Sequence, residues 1–419
     1  MTDSLHPPSD GTERRKMRLA YLVSHPIQYQ APLLRRIALE PTIDLTVLFG
    51  SDFSVRGYKD RGFGVEVAWD TPLLDGYRSE FLRPFRDTGE VSPTAPISRG
   101  IFRRLQQSDG SPAFDALWVH GYASINSLQA ILAANALGIP VLLRAESWLA
   151  DRARSPWTLV LKSAFFRLLG NGISAVLPIG TVNAEYWTHY FGTSVPQFLM
   201  PYAVNNEYFA GLAAAAVPRE QELRAELGLS AERPVILFAS KLQQRKHADH
   251  LLEAYSRFIA DRTPQERPYL VVVGDGEQRA QLEAQAQQLG LEDVRFAGFR
   301  NQSELPRFFQ LADVFVLPSR HEPWGLIVNE VMASGCPVIV STDVGCHADL
   351  ITDGVEGFVF PVGNVPALTH ALHQVFSDPL TPARMGDSAR RRVNTWTYEE
   401  DVQGLRQALA ATTRMTKDW

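Results

Sequence analysis

Short apolar runs that end in glycine or a polar residue recur through both halves of the chain, and longer segments of helical spacing separate them. Continuous apolar runs of this length are typical of strands covered on both faces. Their alternation with helices predicts a parallel, doubly wound sheet in each half, so we expect an α/β protein whose two domains face each other across a cleft. Ligands of such sheets bind at the carboxyl ends of the strands. The runs are 18–25, 43–50, 116–121, 140–146 and 174–180, then 234–241, 269–276, 294–299, 314–320, 337–342 and 357–362, and helical spacing is clear at 247–260 and 277–290.

The length of 419 residues suits two domains. An Ala- and Glu-rich stretch bracketed by Pro218 and Pro234 is typical of a linker with a short helix. The predicted division is a polar, disordered tail at 1–16, an N-terminal domain at 17–210, a linker at 211–233, a C-terminal domain at 234–390 and a terminal helix at 391–419. In this type of fold such a helix often crosses back to the first domain.

Composition excludes several classes of protein. Hydrophobic residues make up 45% and charged residues 21%, which is ordinary globular usage. The net charge of −5 gives no reason to expect a nucleic-acid partner. No apolar run approaches the roughly 18 residues of a spanning helix, and the start lacks the apolar core of a secretory signal. Cys336 and Cys346 are too few for a disulfide framework, so a cytoplasmic location is expected.

The stretch 318–351 carries the sharpest signal in the chain. Glu322 follows a predicted strand. Seven residues separate it from Glu330, which lies inside a helix predicted over 326–334. The backbone amides of Gly325 and Leu326 at the start of that helix are suited to a phosphate, while the two carboxylates could accept hydrogen bonds from sugar hydroxyls. The alternative is an acid that stabilises the helix dipole and a second, solvated glutamate.

A second candidate site follows the strand at 234–241. Lys241 and Lys246 lie five residues apart in a loop, although the chain has only six lysines. Cations at the end of a strand could hold a diphosphate and neutralise charge on it as it leaves. A solvated basic loop is the alternative. Gly274 and Gly276 lack the third glycine of a dinucleotide fingerprint, so they are interpreted as residues of a tight turn.

In the first half, His25 and His120 stand at the carboxyl ends of predicted strands, facing the predicted cleft. A strand-end histidine is often structural, but this position favours a function. His25 and Gln28 are candidates for contact with donor phosphate or acceptor. Glu146 could bind acceptor hydroxyls, or it could form a salt bridge with Arg144 or Arg152.

The segment 151–170 mixes basic residues with large apolar ones, among them Trp157, Phe165 and Phe166. A basic amphipathic helix can lie on an anionic bilayer, at the inner face of a membrane. Packing against the sheet explains the apolar residues equally well.

Taken together, these motifs resemble the retaining glycosyltransferases of the GT-B fold, family 4 (glycosyl transferases group 1). Glu322 and Glu330 match the family's Glu-x7-Glu motif, and the Pro-Ser before it and the Ala-x-Gly-x-Pro-Val after it are also present. The family's Gly-Arg-Leu corresponds to 240–242 here, and its Lys-Gly corresponds to 246–247. In the first of these motifs a lysine replaces the usual arginine, so the paired hydrogen bonds that a guanidinium can donate are lost. The family's Gly-Gly-x-x-Glu becomes 345–349, without the second glycine and with a shorter acid.

The resemblance implies two Rossmann-like domains and a role for each matched residue. Lys241 and Lys246 would hold the donor diphosphate, Glu330 the donor ribose and Glu322 a hydroxyl of the transferred sugar, while His120 would contact the donor sugar. The remaining implied donor-binding residues are Phe299 and Arg300 at the base, and Trp324, Gly325 and Leu326 at the helix start.

The expected reaction is the transfer of a hexose-type sugar from a nucleoside diphosphate sugar to an acceptor hydroxyl, with retention of anomeric configuration, in glycan, glycolipid or metabolite glycosylation. No residue spacing suggests a metal, no cofactor is expected beyond the nucleotide sugar as co-substrate, and family analogy favours a front-face route. The alternatives are a nucleotide-sugar epimerase of the same fold, which would need no acceptor, and a catalytically degenerate glycan-binding protein. A phosphorylase lacks a context for a pyridoxal lysine, and a dehydrogenase lacks the glycine fingerprint.

Overall fold

The computed structural model describes residues 15–56, 71–149 and 155–413, together with the backbone of 58–59 and 66–67. Most of the predicted tail at 1–16, and residues 151–154 of the predicted basic segment, lie outside the described residues. Within them, two six-stranded parallel sheets confirm the predicted α/β architecture. No helix among the described residues is long and apolar enough to cross a membrane.

The first unit contains a sheet of spatial order β10-β9-β8-β1-β2-β5, and every neighbouring pair is parallel. The order is of the doubly wound type, and its direction reverses between the adjacent strands β1 and β8. In chain order the elements are β1 (Met17–Val23), α1 (Ala31–Ala38), β2 (Ile43–Phe49), β3 (Tyr58–Lys59), β4 (Glu66–Val67), β5 (Arg78–Phe81), β6 (Arg83–Arg86), β7 (Ile97–Arg99), α2 (Ile101–Leu105), β8 (Ala116–His120), α3 (Ile125–Ala136), β9 (Val141–Arg144), α4 (Pro156–Gly170), β10 (Ala175–Val176) and α5 (Thr181–Phe191).

The second unit repeats this plan with the spatial order β13-β12-β11-β14-β15-β16, again parallel throughout. Its reversal lies between β11 and β14. In chain order the elements are α6 (Asn206–Ala216), a 3-10 turn (Val217–Arg219), α7 (Glu220–Leu227), β11 (Val235–Ala239), a 3-10 turn (Gln244–Lys246), α8 (Ala248–Ile259), β12 (Tyr269–Val273), α9 (Arg279–Gln288), β13 (Val294–Gly298), α10 (Leu305–Leu311), β14 (Val314–Leu317), α11 (Leu326–Ala333), β15 (Val338–Ser341), α12 (His347–Leu350), β16 (Gly357–Phe360), α13 (Val365–Val375), α14 (Thr381–Val393) and α15 (Tyr398–Thr412).

The stretch predicted as a linker, 211–233, differs from that expectation. It is helical over most of its length, and α6 and α7 bury Phe209, Ala213 and Leu223 in the same apolar cluster as Phe308 and Met332 of the second unit. Apart from Ala213, the alanines and glutamates that suggested a linker therefore lie on the outer side of two helices that cover the second sheet.

Helix α15 follows the second unit in sequence but packs on the first. Its side chains Val402, Leu405 and Leu409 share an apolar cluster with Leu33 and Ile37 of α1. A capping box of Thr397 and Glu400 fixes its start. The chain therefore crosses between the two units twice, once before α6 and again before α15. These two crossings connect the two sheets.

Candidate active site

A cavity of about 290 Å³ opens where β11 and β12 end and α11 begins. This is the edge where the strand order of the second sheet reverses, which is the usual place for a ligand in such sheets. Seven predicted site residues line it, because the loops after β11 and β14 meet there. The lining residues are Ala239, Ser240, Lys241, Arg245, Lys246, Val273, Gly274, Phe299, Arg300, Leu305, Glu322, Gly325, Leu326 and Ile327.

Lys246 and Glu322 form a salt bridge in the wall of this cavity. The side chain of Lys246 is only 8% exposed, and burial lowers its pKa although Glu322 acts in the opposite direction. Nη1 of Arg245 lies 3.3 Å from the same carboxylate oxygen of Glu322, and Lys241 lines the cavity beside them. The wall therefore concentrates three cations around one carboxylate, which holds the buried ammonium in place.

The N-terminus of α11 forms another side of the cavity. Gly325 precedes the helix with a φ of 89°, a left-handed conformation that glycine adopts without a Cβ clash. A Cβ at this position would also stand 2.8 Å from Cγ1 of Val344. The first amides of a helix lack partners within the helix and carry partial positive charge, so this end of α11 favours an anion.

Phe299 and Arg300 lie at the rim, in the loop after β13. The Arg300 guanidinium is engaged within the protein, since Nη2 donates to Oε1 of Glu226 at 2.8 Å. Its side chain is therefore held back toward α7, which leaves the backbone and the Phe299 ring as the groups that a flat ligand would meet.

Glu330 lines a different cavity, about 450 Å³ in volume, that lies between the two units. Burial raises the pKa of this carboxyl to about 7, while a hydrogen bond from Nε2 of Gln302 at 2.9 Å acts in the opposite direction. Gln302 also accepts a hydrogen bond from Gln28 of the first unit. Glu330 thus ends a polar chain that crosses the cleft, and it shares this cavity with Gln28 but not with Glu322.

The predicted residues of the first unit meet around Glu146. Nε2 of His120, which ends β8, lies 3.7 Å from Oε1 of Glu146, and the same oxygen accepts hydrogen bonds from Tyr29 at 2.9 Å and from Tyr202. Burial would raise the pKa of Glu146, but His120, Tyr202 and Tyr29 together lower it to about 2. The predicted alternative partner, Arg144, instead contacts Asp401 at 3.0 Å. Glu146 is therefore a half-buried carboxylate held ionised beside a histidine.

His25 lies beyond the end of β1, the neighbour of β8. Burial, with the nearby charge of His120, lowers its pKa to about 4, so the ring is neutral near pH 7. Its Nδ1 is 2.8 Å from Oγ of Ser24, and the ring stacks on Phe53 with the centroids 4.6 Å apart. His25 and His120 thus occupy the reversal point of the first sheet, as Lys241 and Glu322 occupy that of the second.

Trp324 was predicted to bind the donor, and its surroundings do not fit that role. The side chain is 3% exposed and is absent from the lining of either cavity. Its Nε1–H donates to Oδ1 of Asn329 at 2.9 Å, and the ring stacks on Trp396 at 5.6 Å. The turn that places Gly325 in the cavity wall points the indole inward, so Trp324 anchors the start of α11 from behind.

Residues 219–392 match the sequence model of a family described as glycosyl transferases group 1. The matched range includes the lysines, the α11 terminus and both carboxylates of the second unit. Over this range the second unit is therefore similar in sequence to the group 1 glycosyltransferases.

Named relatives support the same family. An alpha-D-kanosaminyltransferase of Streptomyces kanamyceticus is 33% identical over 173 residues, which cover 41% of this chain and 43% of that protein. The lipopolysaccharide core biosynthesis glycosyltransferase LpsE of Rhizobium meliloti is 32% identical over 45% of this chain and 53% of its own length. These matches thus span about half or less of the relatives. The putative glycosyltransferase EpsD of Bacillus subtilis is 25% identical over 84% of this chain and 91% of its own.

Solved structures establish the fold of the whole chain. Anabaena Alr3699/HepE, in a crystal structure with UDP, superposes with a TM-score of 0.69 at 18% identity, over 94% of this chain and 100% of that one. A glycosyltransferase from Rickettsia africae gives a TM-score of 0.71 at 14% identity, over 96% and 100%. The two facing sheets are the GT-B fold.

Several residues of the candidate site escape sequence reasoning. Tyr29, Tyr202 and Gln302 become partners of Glu146 and Glu330 only through folding, since each lies far along the chain from the carboxylate it contacts. Arg245 had a usable signal, because it adjoins Lys246 in the predicted cationic loop.

Among the described residues, one group of possible metal ligands follows the loop that carries Lys241 and Lys246, although the sequence spacing suggested none. Ligand atoms of His247, Asp249 and His250 lie within 4.8 Å of one another. The rings of His247 and His250 stack at 4.3 Å, and His247 has a positive φ of 49° at the position where the family has glycine. This group does not line the cavity, so it is no part of the site described above.

Proposed function

We propose that this protein is a retaining glycosyltransferase that moves a hexose-type sugar from a nucleoside diphosphate sugar to an acceptor hydroxyl. The observation that carries the proposal is the cavity of the second unit, in which Lys241, Arg245 and Lys246 face the N-terminus of α11 across Glu322. Cations and free amides suit a diphosphate, and a carboxylate beside them suits sugar hydroxyls.

On this proposal the donor extends from the rim of the cavity toward the cleft. The base stacks near Phe299 and the diphosphate lies between the lysines and Gly325, where the helix amides donate to its oxygens. Glu330 accepts hydrogen bonds from the ribose. With a pKa of about 7, this carboxyl can accept through both oxygens when it is ionised and through its carbonyl oxygen when it is protonated.

The first unit would supply the sugar and acceptor side. His120, held against Glu146, can donate a hydrogen bond to a sugar hydroxyl at the face of the cleft. His25 and Gln28 border the same region, and Tyr29 lines the cleft cavity beside Gln28. The acceptor would therefore enter from the first unit, with Glu146 ordering the groups that orient it.

In the proposed reaction the bond between the anomeric carbon and the diphosphate oxygen breaks, and a bond from that carbon to the acceptor oxygen forms on the same face. The acceptor proton passes to the departing phosphate oxygen. The lysines and the α11 terminus stabilise the charge that develops on the diphosphate. No residue has to act as a nucleophile, and the proposal assigns no step to a metal, so transfer is expected to continue in EDTA.

The test starts from a panel of nucleotide sugars, each screened by thermal shift and then incubated with candidate acceptors. Lys246→Ala and Lys241→Ala should each lower kcat about 10²- to 10³-fold, the usual cost of losing one charge-stabilising group. Lys16→Ala, an exposed lysine outside both cavities, is the matched control. Full turnover in both cavity variants would refute the assignment.

Product analysis separates the proposal from the alternatives of the same fold. NMR of the product should show the anomeric configuration of the donor, and inversion would overturn the retaining assignment. NMR of donor incubated alone should show no new sugar, because an epimerase would convert it without any acceptor. Donor binding without conversion in the presence of any acceptor would instead indicate a binding protein.

A further inference from the structure

Helix α4 of the first unit leaves an unusual amount of apolar surface exposed. Of its 15 residues only Phe166 and Leu169 are buried, in the cluster that covers the first sheet. Trp157, Leu161 and Leu168 are 79%, 69% and 74% exposed. Packing against the sheet, one of the two explanations for this composition, therefore accounts for the inner side of the helix alone.

The exposed residues of α4 form a single stripe. Trp157, Leu161 and Leu168 are separated by four and seven residues, which brings them to one side of a helix with 3.6 residues per turn. Phe166 lies nine residues after Trp157, on the opposite side, where it packs against α5. The stripe therefore points directly away from the sheet.

A second apolar patch lies on the same side of the sheet. Helices α2, α3, α4 and α5 all contribute to one apolar cluster, which places them in one layer. Phe85, Phe102 and Leu132, which are 61%, 45% and 71% exposed, line a depression of about 760 Å³ over α2 and α3 together with Arg99 and Arg103. Exposed apolar surface on this scale usually marks a site of interaction.

The charged residues on three helices of this layer are all basic. Helices α2, α3 and α4 contain four basic residues and no acidic one: Arg103, Arg104, Lys162 and Arg167. Arg104 pairs with Glu80. Among the residues that the structure describes, Arg99, Arg103 and Arg167 have no carboxylate partner within 4 Å, although the chain as a whole carries a net charge of −5.

We propose that this face, defined as the outer surface of α2, α3 and α4 with the β6–β7 hairpin, docks on an anionic lipid bilayer. An anionic bilayer has an apolar interior beneath negatively charged headgroups. It can therefore bury an apolar stripe while its headgroups attract the arginines beside that stripe. Trp157, with its apolar ring and polar N–H, suits the boundary between headgroups and acyl chains. The face is separate from both cavities, so docking would leave the cleft open to a donor and an acceptor.

The test is flotation of the full chain with vesicles of phosphatidylcholine alone or with 30 mol% phosphatidylglycerol. The protein should float with the anionic vesicles, less at 500 mM salt, and not with the neutral ones. Leu161→Glu with Leu168→Glu should abolish flotation, and Arg103→Gln should weaken it roughly five-fold, the effect of one charge near such a surface. Leu380→Glu, at a residue 65% exposed on the second unit, and Arg391→Gln there are the matched controls.

Tryptophan fluorescence gives a second test, because it reports directly on the environment of this face. Trp157 fluorescence should shift to the blue on addition of anionic vesicles, and Trp157→Phe should remove that shift while thermal unfolding stays unchanged. Absence of binding to anionic vesicles at low salt would overturn the proposal. So would a concentration-dependent dimer in sedimentation that Leu161→Glu dissociates, because the face would then belong to a second copy of the chain.

Discussion

Burial strongly alters the ordinary chemistry of Glu330. It lies on α11, almost fully buried, with Gln302 as its hydrogen-bond partner, and among the described residues no cation forms a salt bridge with it. Lys246 is buried and Glu146 half-buried, but each has partners of opposite charge or several donors. A ligand that places a cation or hydrogen-bond donors beside Glu330 would therefore favour its ionised form.

The raised pKa of Glu330 predicts how its contribution to stability depends on pH. Because the folded pKa of about 7 exceeds that of an unfolded glutamate, about 4.3, the folded state binds more protons between these values, and stability falls as pH rises through this window. In Glu330→Gln this contribution should vanish, making the variant roughly 3–4 kcal/mol more stable than the parent at pH 8. Urea unfolding at pH 5 and pH 8 measures the difference.

Glu283→Gln, an exposed glutamate on α9, is the control and should leave the pH profile unchanged. A Glu330→Gln protein whose stability relative to the parent is the same at both pH values would contradict the prediction. On the proposed function the same variant should raise the KM for the donor, since an amide replaces the ribose-binding carboxylate.

At the scale of elements, the start of α11 depends on a backbone conformation that glycine tolerates best. Gly325→Ala adds both a left-handed strain and a contact of 2.8 Å with Val344, so we expect a loss of about 2–4 kcal/mol in unfolding free energy. Gly100→Ala is the matched comparison, because Gly100 also caps a helix at a φ of 81° but has nothing within 4 Å of its Cβ position. It should lose about 1 kcal/mol. Equal losses in the two variants, measured by urea unfolding, would show that the contact does not matter.

The elements also show how far sequence reasoning reaches. Strands such as β11 and β12 were predictable because both faces are covered, which leaves an unbroken apolar run. The edge strand β5 and the hairpin of β6 and β7 were missed because their side chains are largely exposed and carry no such run. Lys246 and Glu322 were predictable from family motifs, whereas the inward turn of Trp324 follows from its fit against Trp396, a residue 72 positions later whose contact no local pattern reveals.

At the scale of the molecule, the two units are joined by a buried ion pair as well as by chain connections. Arg144 at the end of β9 contacts Asp401 of α15 at 3.0 Å, with side-chain exposures of 1% and 0%. Arg144 also donates to the carbonyls of Met200 and Pro201, in the segment that leads into α6. The Arg144 guanidinium therefore binds both segments that cross the cleft, and it holds them against the first sheet.

Breaking this pair should loosen the whole molecule, because a buried charge without its partner typically costs about 3–5 kcal/mol. We expect Asp401→Asn to lower the free energy of unfolding by that amount and to speed hydrogen exchange in α15 and in Met200–Asn206, as measured by urea unfolding and mass spectrometry. Glu399→Gln is the matched control on the same helix: its partner Arg36 lies 2.6 Å away, but Glu399 is 65% exposed, so the loss should stay below about 1 kcal/mol. If both variants cost the same, α15 is held by apolar packing alone, and exchange in the crossing segment should then match the parent.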